Sequence, residues 1–83
     1  MGRTPKVVSK SAEKQLQNIG KRLTQLRKEK GFTNYEIFAY ENKISRSQYG
    51  KYEKGADMQF TTIIKICEAH GISLKEFFSE GFD

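Results

Sequence analysis

The chain carries a single cysteine, Cys67, a single histidine, His70, and a single proline, Pro5. One thiol closes no internal disulfide, and one thiol with one imidazole forms no metal site without a partner chain, which points to a reducing compartment and to no metal. No run approaches the roughly 18 to 20 apolar residues of a membrane span, and the start lacks the apolar core of a secretory signal. Lys6 stands where a myristoylation signal wants Ser or Thr. These absences leave the cytoplasm as the expected location and exclude a membrane role. Enzyme constellations are missing too: no paired carboxylates in an apolar setting, no nucleophile beside a base, no glycine cradle for phosphate. We therefore expect neither enzymatic activity nor a cofactor.

What is present is a short, basic chain. Its 83 residues suit one compact unit, with no room for a small-molecule ligand domain. Hydrophobic residues make up 36%, enough for a thin helical core, and a chain of this size buries only roughly 60% of its unfolded surface, so good capping or self-association should help it. The net charge of +5 favours a polyanionic partner such as nucleic acid. That charge is uneven: residues 1 to 30 hold net +7, residues 31 to 55 net +1, and residues 56 to 83 net −3. A polyanion would meet the front of the molecule.

Residues 1 to 11 hold Pro5, scattered cations and few sizeable apolar groups, and are expected to form a loose basic arm ahead of a domain over 12 to 83. From about residue 12, Leu16, Ile19, Leu23 and Leu26 recur at helical steps, which predicts a first helix ending at Gly31. Gly20 lies inside it at a cost of about 1 kcal/mol against Ala. Three reciprocal caps follow, in Thr33-Asn34-Tyr35-Glu36, Ser45-Arg46-Ser47-Gln48 and Ser73-Leu74-Lys75-Glu76, and they predict helices over about 34–42, 46–54 and 74–80. Phe60, Ile63, Ile64 and Cys67 mark another amphipathic helix over about 60–70, closed by Gly71. The expected fold class is all-α, a compact five-helix domain with no strand.

A short helix, a connection of about three residues and a second short helix, as over 34 to 54, is the helix-turn-helix layout, whose second helix enters the DNA major groove. With Leu26-Arg27, Phe38-Ala39, Ile44-Ser45, Tyr52-Glu53-Lys54-Gly55 and the segment from Gly71 to Phe78, the sequence over about 16 to 80 resembles the lambda-repressor/Cro-like family, also called the xenobiotic-response-element type. The resemblance implies that Ala39 lets the two helices approach and that Phe38, Ile44, Tyr49 and Tyr52 lock their angle. It also implies that Arg27 and Glu53 pair across helices. Two departures stand out. Lys43 occupies the turn where the family usually has Gly, with Asn42 the better candidate for a left-handed conformation. A cap at Thr33 also disagrees by one residue with the register of Ala39 and Ile44, which implies an extra residue in or before the second helix.

Tyr49 and Tyr52 take the inner stripe of the third helix, leaving Arg46, Ser47, Gln48 and Lys51 outward as the base-reading set, at the positions where the resemblance also places base contacts. Arg46 suits guanine, Gln48 adenine, Ser47 either, and Lys51 guanine or a phosphate. Phosphates are expected near the helix starts at Asn34, Tyr35 and Ser45, flanked by Lys43 and Lys54. Lys14, Lys21, Arg22 and the arm's Arg3, Lys6 and Lys10 add long-range attraction. Cys67 reads as a packed thiol and His70 as a cap or dipole partner. Leu74, Phe77 and Phe78 form an apolar face that Phe82 extends, and Phe78 with Phe82 is the expected dimer contact. The function expected is a bacterial-type DNA-binding transcriptional regulator, a repressor, acting as a homodimer on double-stranded DNA. An antitoxin that also binds a protein toxin, or a protein-interaction adaptor without sequence preference, stays open.

Overall fold

The computed structural model describes residues 9–82. Its elements are α1 (Lys10–Glu29), α2 (Tyr35–Glu41), α3 (Arg46–Glu53), α4 (Phe60–His70) and α5 (Leu74–Phe77). The first helix begins earlier than its apolar pattern suggested, because Ser9 caps it: the Ala12 amide donates to Ser9 Oγ. Lys10 and Ser11 therefore belong to α1 and not to the expected arm, the rest of which, up to Val8, lies outside the described residues.

Leu23 and Leu26 bring the buried stripe of α1 against Phe38, Ala39, Tyr49, Ile63, Ile66, Cys67 and Phe77, and these residues form one core. Phe60 shares a stripe with Ile63 but lies on the first turn of α4 and is 55% exposed, whereas Ile66, outside the expected set, is fully buried. Gly71 ends α4 in the left-handed region at φ 67°. His70, in the last turn, lays its ring on Phe38 with centroids 5.1 Å apart and planes 14° from parallel. Of the two roles expected, cap or dipole partner, the cap falls to Gly71, while His70 keeps its place in the last turn of α4. Burial, with Lys30 and Arg22 adding like charge, pushes the imidazole below its usual range, and its Nε2 is buried without a hydrogen-bond partner.

Two contacts fasten α1 to the rest. At the amino side of its second half, a Cβ on Gly20 would fall 2.5 Å from the Glu53 carbonyl oxygen and 2.9 Å from that of Tyr52. The glycine is a close-approach residue, and not merely a tolerated weak point in a helix. One turn and two turns further on, Thr24 and Arg27 reach the Glu53 side chain. Arg27 Nε donates to Glu53 Oε2 at 2.7 Å and Nη2 to Oε1 at 3.0 Å, while Nη1 donates to the Phe32 carbonyl at 2.8 Å. Thr24 Oγ1 donates to Glu53 Oε1 at 2.9 Å. Burial alone would raise the Glu53 carboxyl, but Arg27, the neighbouring Tyr49 hydroxyl and Thr24 outweigh it and hold the group below the ordinary range. The Tyr49 hydroxyl lies near enough to feel this pair yet closes no hydrogen bond, and burial followed by the adjacent Glu53 charge raises it far above the usual phenol value.

Arg22, expected to lie on the basic exterior, is instead 6% exposed and stitches α1 to the end of the chain. Its Nε donates to the Phe77 carbonyl at 2.7 Å and Nη2 to the Glu76 carbonyl at 2.8 Å, with Nη1 on Gln25 Oε1 and Glu80 Oε1. Those carbonyls belong to the last turn of α5, so the guanidinium does the work of a C-cap, and the helix stops at Phe77 rather than near residue 80. The Glu80 contact, at 3.3 Å to a carboxylate 60% exposed, is a minor surface addition.

Two outcomes check this description. Gly20→Ala gains about 1 kcal/mol of helix propensity but drives a methyl into a backbone carbonyl, so the net change is a destabilisation of about 1–3 kcal/mol, measured by urea denaturation. For pH, both depressed groups act in the same direction. The unfolded chain protonates His70 more readily than the folded one, so stability is full above about pH 6.5 and falls as pH drops below it. Glu53 adds a second loss below about pH 4.5, its unfolded value. Thermal melts from about pH 8 downward should show both limbs, and His70→Phe, which keeps the stacked ring, should abolish the first.

Candidate nucleic-acid interface

The interface is built on the packing of α2 against α3. Phe38 and Ala39 from α2 and Tyr49 from α3 have no exposed surface, and Phe38 and Tyr49 meet with ring centroids 5.2 Å apart. Tyr35, half-buried, lies over Gly50, where a Cβ would sit 2.7 Å from its ring. Ile44 and Tyr52 pack partly buried against the same core. These contacts face α3 inward along Tyr49, Gly50 and Glu53 and fix its rotation about its own axis.

The cap of α2 is Asn34, not Thr33. Asn34 Oδ1 accepts from the Glu36 amide at 2.7 Å and the Ile37 amide at 3.4 Å. Moving the cap forward by one residue removes the apparent extra residue, since Asn34 and Ala39 then stand in one consistent register. Asn is among the strongest N-cap residues, which is the signal that favours it over the preceding Thr. In the turn, the left-handed residue is Lys43, at φ 60°, and not Asn42. Asn42 stays at negative φ as the C-cap of α2, where its Nδ2 donates to the Phe38 carbonyl at 2.8 Å. Lys43 then adopts a conformation that costs a non-glycine residue about 1–2 kcal/mol. The Ile44 amide donates to the Ala39 carbonyl at 2.9 Å, and Lys65 Nζ on α4 donates to the Lys43 carbonyl at 3.0 Å, which together hold the turn.

With α3 fixed in this way, Arg46, Ser47, Gln48 and Lys51 are all exposed. Ser45 caps the helix by accepting from the Gln48 amide at 3.4 Å, and its Oγ lies 3.4 Å from Ser47 Oγ. Gln48 Oε1 accepts from the Tyr52 hydroxyl at 3.4 Å and lines a groove with Asp57, Met58, Gln59 and Thr62. The Arg46 guanidinium lies over the Tyr40 ring, 6.0 Å from its centroid. Nothing in the helical period ties residue 40 to residue 46, and the sequence pattern misses this contact because it spans the turn.

The expected phosphate-binding residues are distributed around this unit. Lys43 in the turn and Lys54 at the C-cap of α3 are exposed, as is Ser45. Asn34 and Tyr35 stand at the start of α2, but the Glu36 and Ile37 amides there already serve Asn34, and the Tyr35 ring is committed to Gly50. Cationic side chains, more than free amides, are what this surface has to offer an anion. Glu53, the one carboxylate within α3, is turned inward onto Arg27 and takes no part in the outer face.

At the far end, Phe82 is half-buried and folds back onto its own chain, with its ring centroid 5.0 Å from that of Phe78 and 6.3 Å from that of Phe77. Phe77 is fully buried, which leaves Phe78, 37% exposed, as the open edge of that aromatic cluster. Cys67 is buried in the core. Among the described residues no cluster of His, Cys, Asp or Glu is arranged to hold a metal ion, and no helix is long and apolar enough to cross a membrane.

Comparison with curated proteins and with solved structures yields no match. A family of known domains does match, described as a helix-turn-helix domain, over residues 20–80, a span that runs from the Gly20 contact through α5 and takes in the whole α2–α3 brace. The chain belongs to the helix-turn-helix domain family, whose layout is that of a DNA-binding regulator.

Proposed function

We propose that this protein is a sequence-specific transcriptional repressor of the lambda-repressor/Cro-like kind, reading a near-palindromic operator as a homodimer in the bacterial cytoplasm. The observation that carries the reading is the outer face of α3. Four polar side chains with hydrogen-bonding heads stand exposed on a helix whose opposite face is buried and cannot rotate. A rigid helix presenting such groups matches the requirements of major-groove readout, in which bidentate pairs discriminate between bases.

In this reading Arg46 pairs with the O6 and N7 acceptors of guanine and Gln48 with the N6 and N7 edge of adenine, while Ser47 and Lys51 take adjacent bases or a phosphate. Lys43 and Lys54 grip phosphates on either side, and Asn34, Tyr35 and Ser45 line the approach. These contacts set register and affinity without selecting sequence. Lys14 and Lys21, exposed on α1, add attraction at longer range. Repression follows from occupancy of a promoter by a bound dimer whose two copies of α3 lie about one helical turn, roughly 34 Å, apart. The open edge at Phe78 supports a two-fold contact, with Phe82 bracing that ring from within its own chain.

The roles separate by mutation. Arg46→Ala should cost about 1–3 kcal/mol on a preferred site and flatten the choice at a single base, whereas Lys54→Ala should weaken binding to every duplex alike and lower the salt slope by about 1. Titrations of preferred and random duplexes at several salt concentrations measure both, and identical behaviour of the two variants would overturn the assignment. For the dimer, sedimentation at micromolar protein should give twice the chain mass for the wild type and a shift to the monomer for Phe78→Asp. A wild-type chain that stays monomeric both alone and on DNA counts against the two-fold reading.

A further inference from the structure

Tyr40 is the most exposed large hydrophobic residue of the described chain, at 72%, although its α2 neighbours Phe38 and Ala39 are fully buried. The core makes no use of its ring. An aromatic of this size left in water on a short helix has no packing reason, and the group that the ring does meet is the guanidinium of Arg46.

We propose that Tyr40 is a positioning residue for DNA recognition, one that holds the Arg46 guanidinium over its ring and so sets which base edge Arg46 reads. The inference rests on the DNA-reading role of α3 given above. Arg46 is the first residue of α3, directly after the Ser45 cap. The positive end of the helix dipole at that point repels a cation, and α3 has no acidic residue in its first turn to offset it. An arginine so placed has several free torsions, and ordering it on contact with a base costs free energy. The electron-rich ring face, with the guanidinium carbon 6.0 Å from its centroid, counters both effects. It attracts the cation away from the helix end and restricts the side chain before DNA arrives. A guanidinium held over a ring face keeps its N–H groups free to pair, which a carboxylate partner would not allow, because it would occupy them.

The surroundings fit this arrangement. Tyr40 and Arg46 line a depression of about 240 Å3 with Asn34, Glu36 and Ile37, so the ring and the guanidinium share one surface feature. Glu36 is the alternative anchor for the arginine in that depression. Tyr40 and Arg46 lie on opposite sides of the turn, so the angle between α2 and α3, fixed by Phe38, Ala39 and Tyr49, also sets the distance between ring and guanidinium.

The experiment compares Tyr40→Leu, Tyr40→Phe, Glu36→Gln and Arg46→Ala with the wild type in selection from duplex DNA with a randomised core, together with NMR of the Arg46 side chain in the free protein. The expected result is that Arg46→Ala erases the preference at one position of the selected site. Tyr40→Leu should weaken that same preference about two- to five-fold and leave the other positions unchanged, the size of an exposed cation–π contact. Tyr40→Phe should retain it, since the ring is kept, and Glu36→Gln should leave it intact. In the free protein, ring-current shifts of the Arg46 side-chain protons should be present in the wild type and in Tyr40→Phe and absent in Tyr40→Leu. Loss of preference in Arg46→Ala with none in Tyr40→Leu overturns this inference alone, as does a loss reproduced by Glu36→Gln. A wild-type chain that enriches no sequence overturns the DNA reading and this inference with it. Unchanged melting temperatures across the Tyr40 variants exclude a general loss of structure as the cause.

Discussion

The clasp between Arg27 and Glu53 is the interaction on which the arrangement of helices depends. It joins the longest helix to the last residue of α3, with nitrogen and oxygen 2.7 Å apart and both side chains about one-tenth exposed or less. A charge pair withdrawn from water this far contributes little net stability compared with an apolar replacement, yet removal of one member leaves the other unpaired at a cost of about 3–5 kcal/mol. Against the about 5–15 kcal/mol by which folded domains are generally stable, that is a large fraction. The geometry of the pair is therefore a constraint on α3, and its bidentate form specifies direction as well as distance. Thr24 completes the coordination of the carboxylate, and Gly20 removes the one Cβ that would keep the two backbones apart.

The same clasp shapes the electrostatics of the outer face of α3. Because Glu53 is neutralised inside, the exposed part of α3 carries only cations and neutral polar groups. The carboxylates nearest that face, Glu36 beside Arg46 and Asp57 beside Gln48, belong to other segments. The segment from 31 to 55 has a net charge of only +1, so the positive character of this face comes from how its charges are sorted, more than from how many there are. Five residues earlier on α1, Arg22 is withdrawn in a comparable way onto the carbonyls of α5. Two of the basic residues counted in the sequence are thus structural, and the number of cations facing an approaching ligand is smaller than composition suggests.

Much of the fold was legible because its signals are local. The Ser45 and Ser73 caps and the Gly71 stop fall where their side chains and backbone preference demand, and helical spacing located Leu23, Leu26, Ile63 and Cys67 in the core. The outer face of α3 followed from the inner placement of Tyr49 and Tyr52. The misplaced features depend on competition or on distance in sequence. Thr33 and Asn34 are adjacent candidates for one cap, and only the reach of the Asn34 carbonyl to two amides decides between them. Asn42 was the better left-handed candidate in isolation, but its amide was taken by the Phe38 carbonyl, and the sharp turn passed to Lys43. Arg22 finds its carbonyls more than 50 residues away, so no local pattern marks it as buried or ends α5 early. Tyr40 and Arg46 are joined only once the interhelical angle is known.

The left-handed Lys43 has one more implication. Few side chains tolerate that backbone shape, and glycine would relax it, yet glycine would also delete a positive charge from the tip of the brace. Conformational ease and positive charge are therefore opposed at this single residue. Exchange of Lys43 for glycine would thus trade about 1–2 kcal/mol of backbone strain against the one cation that the turn carries.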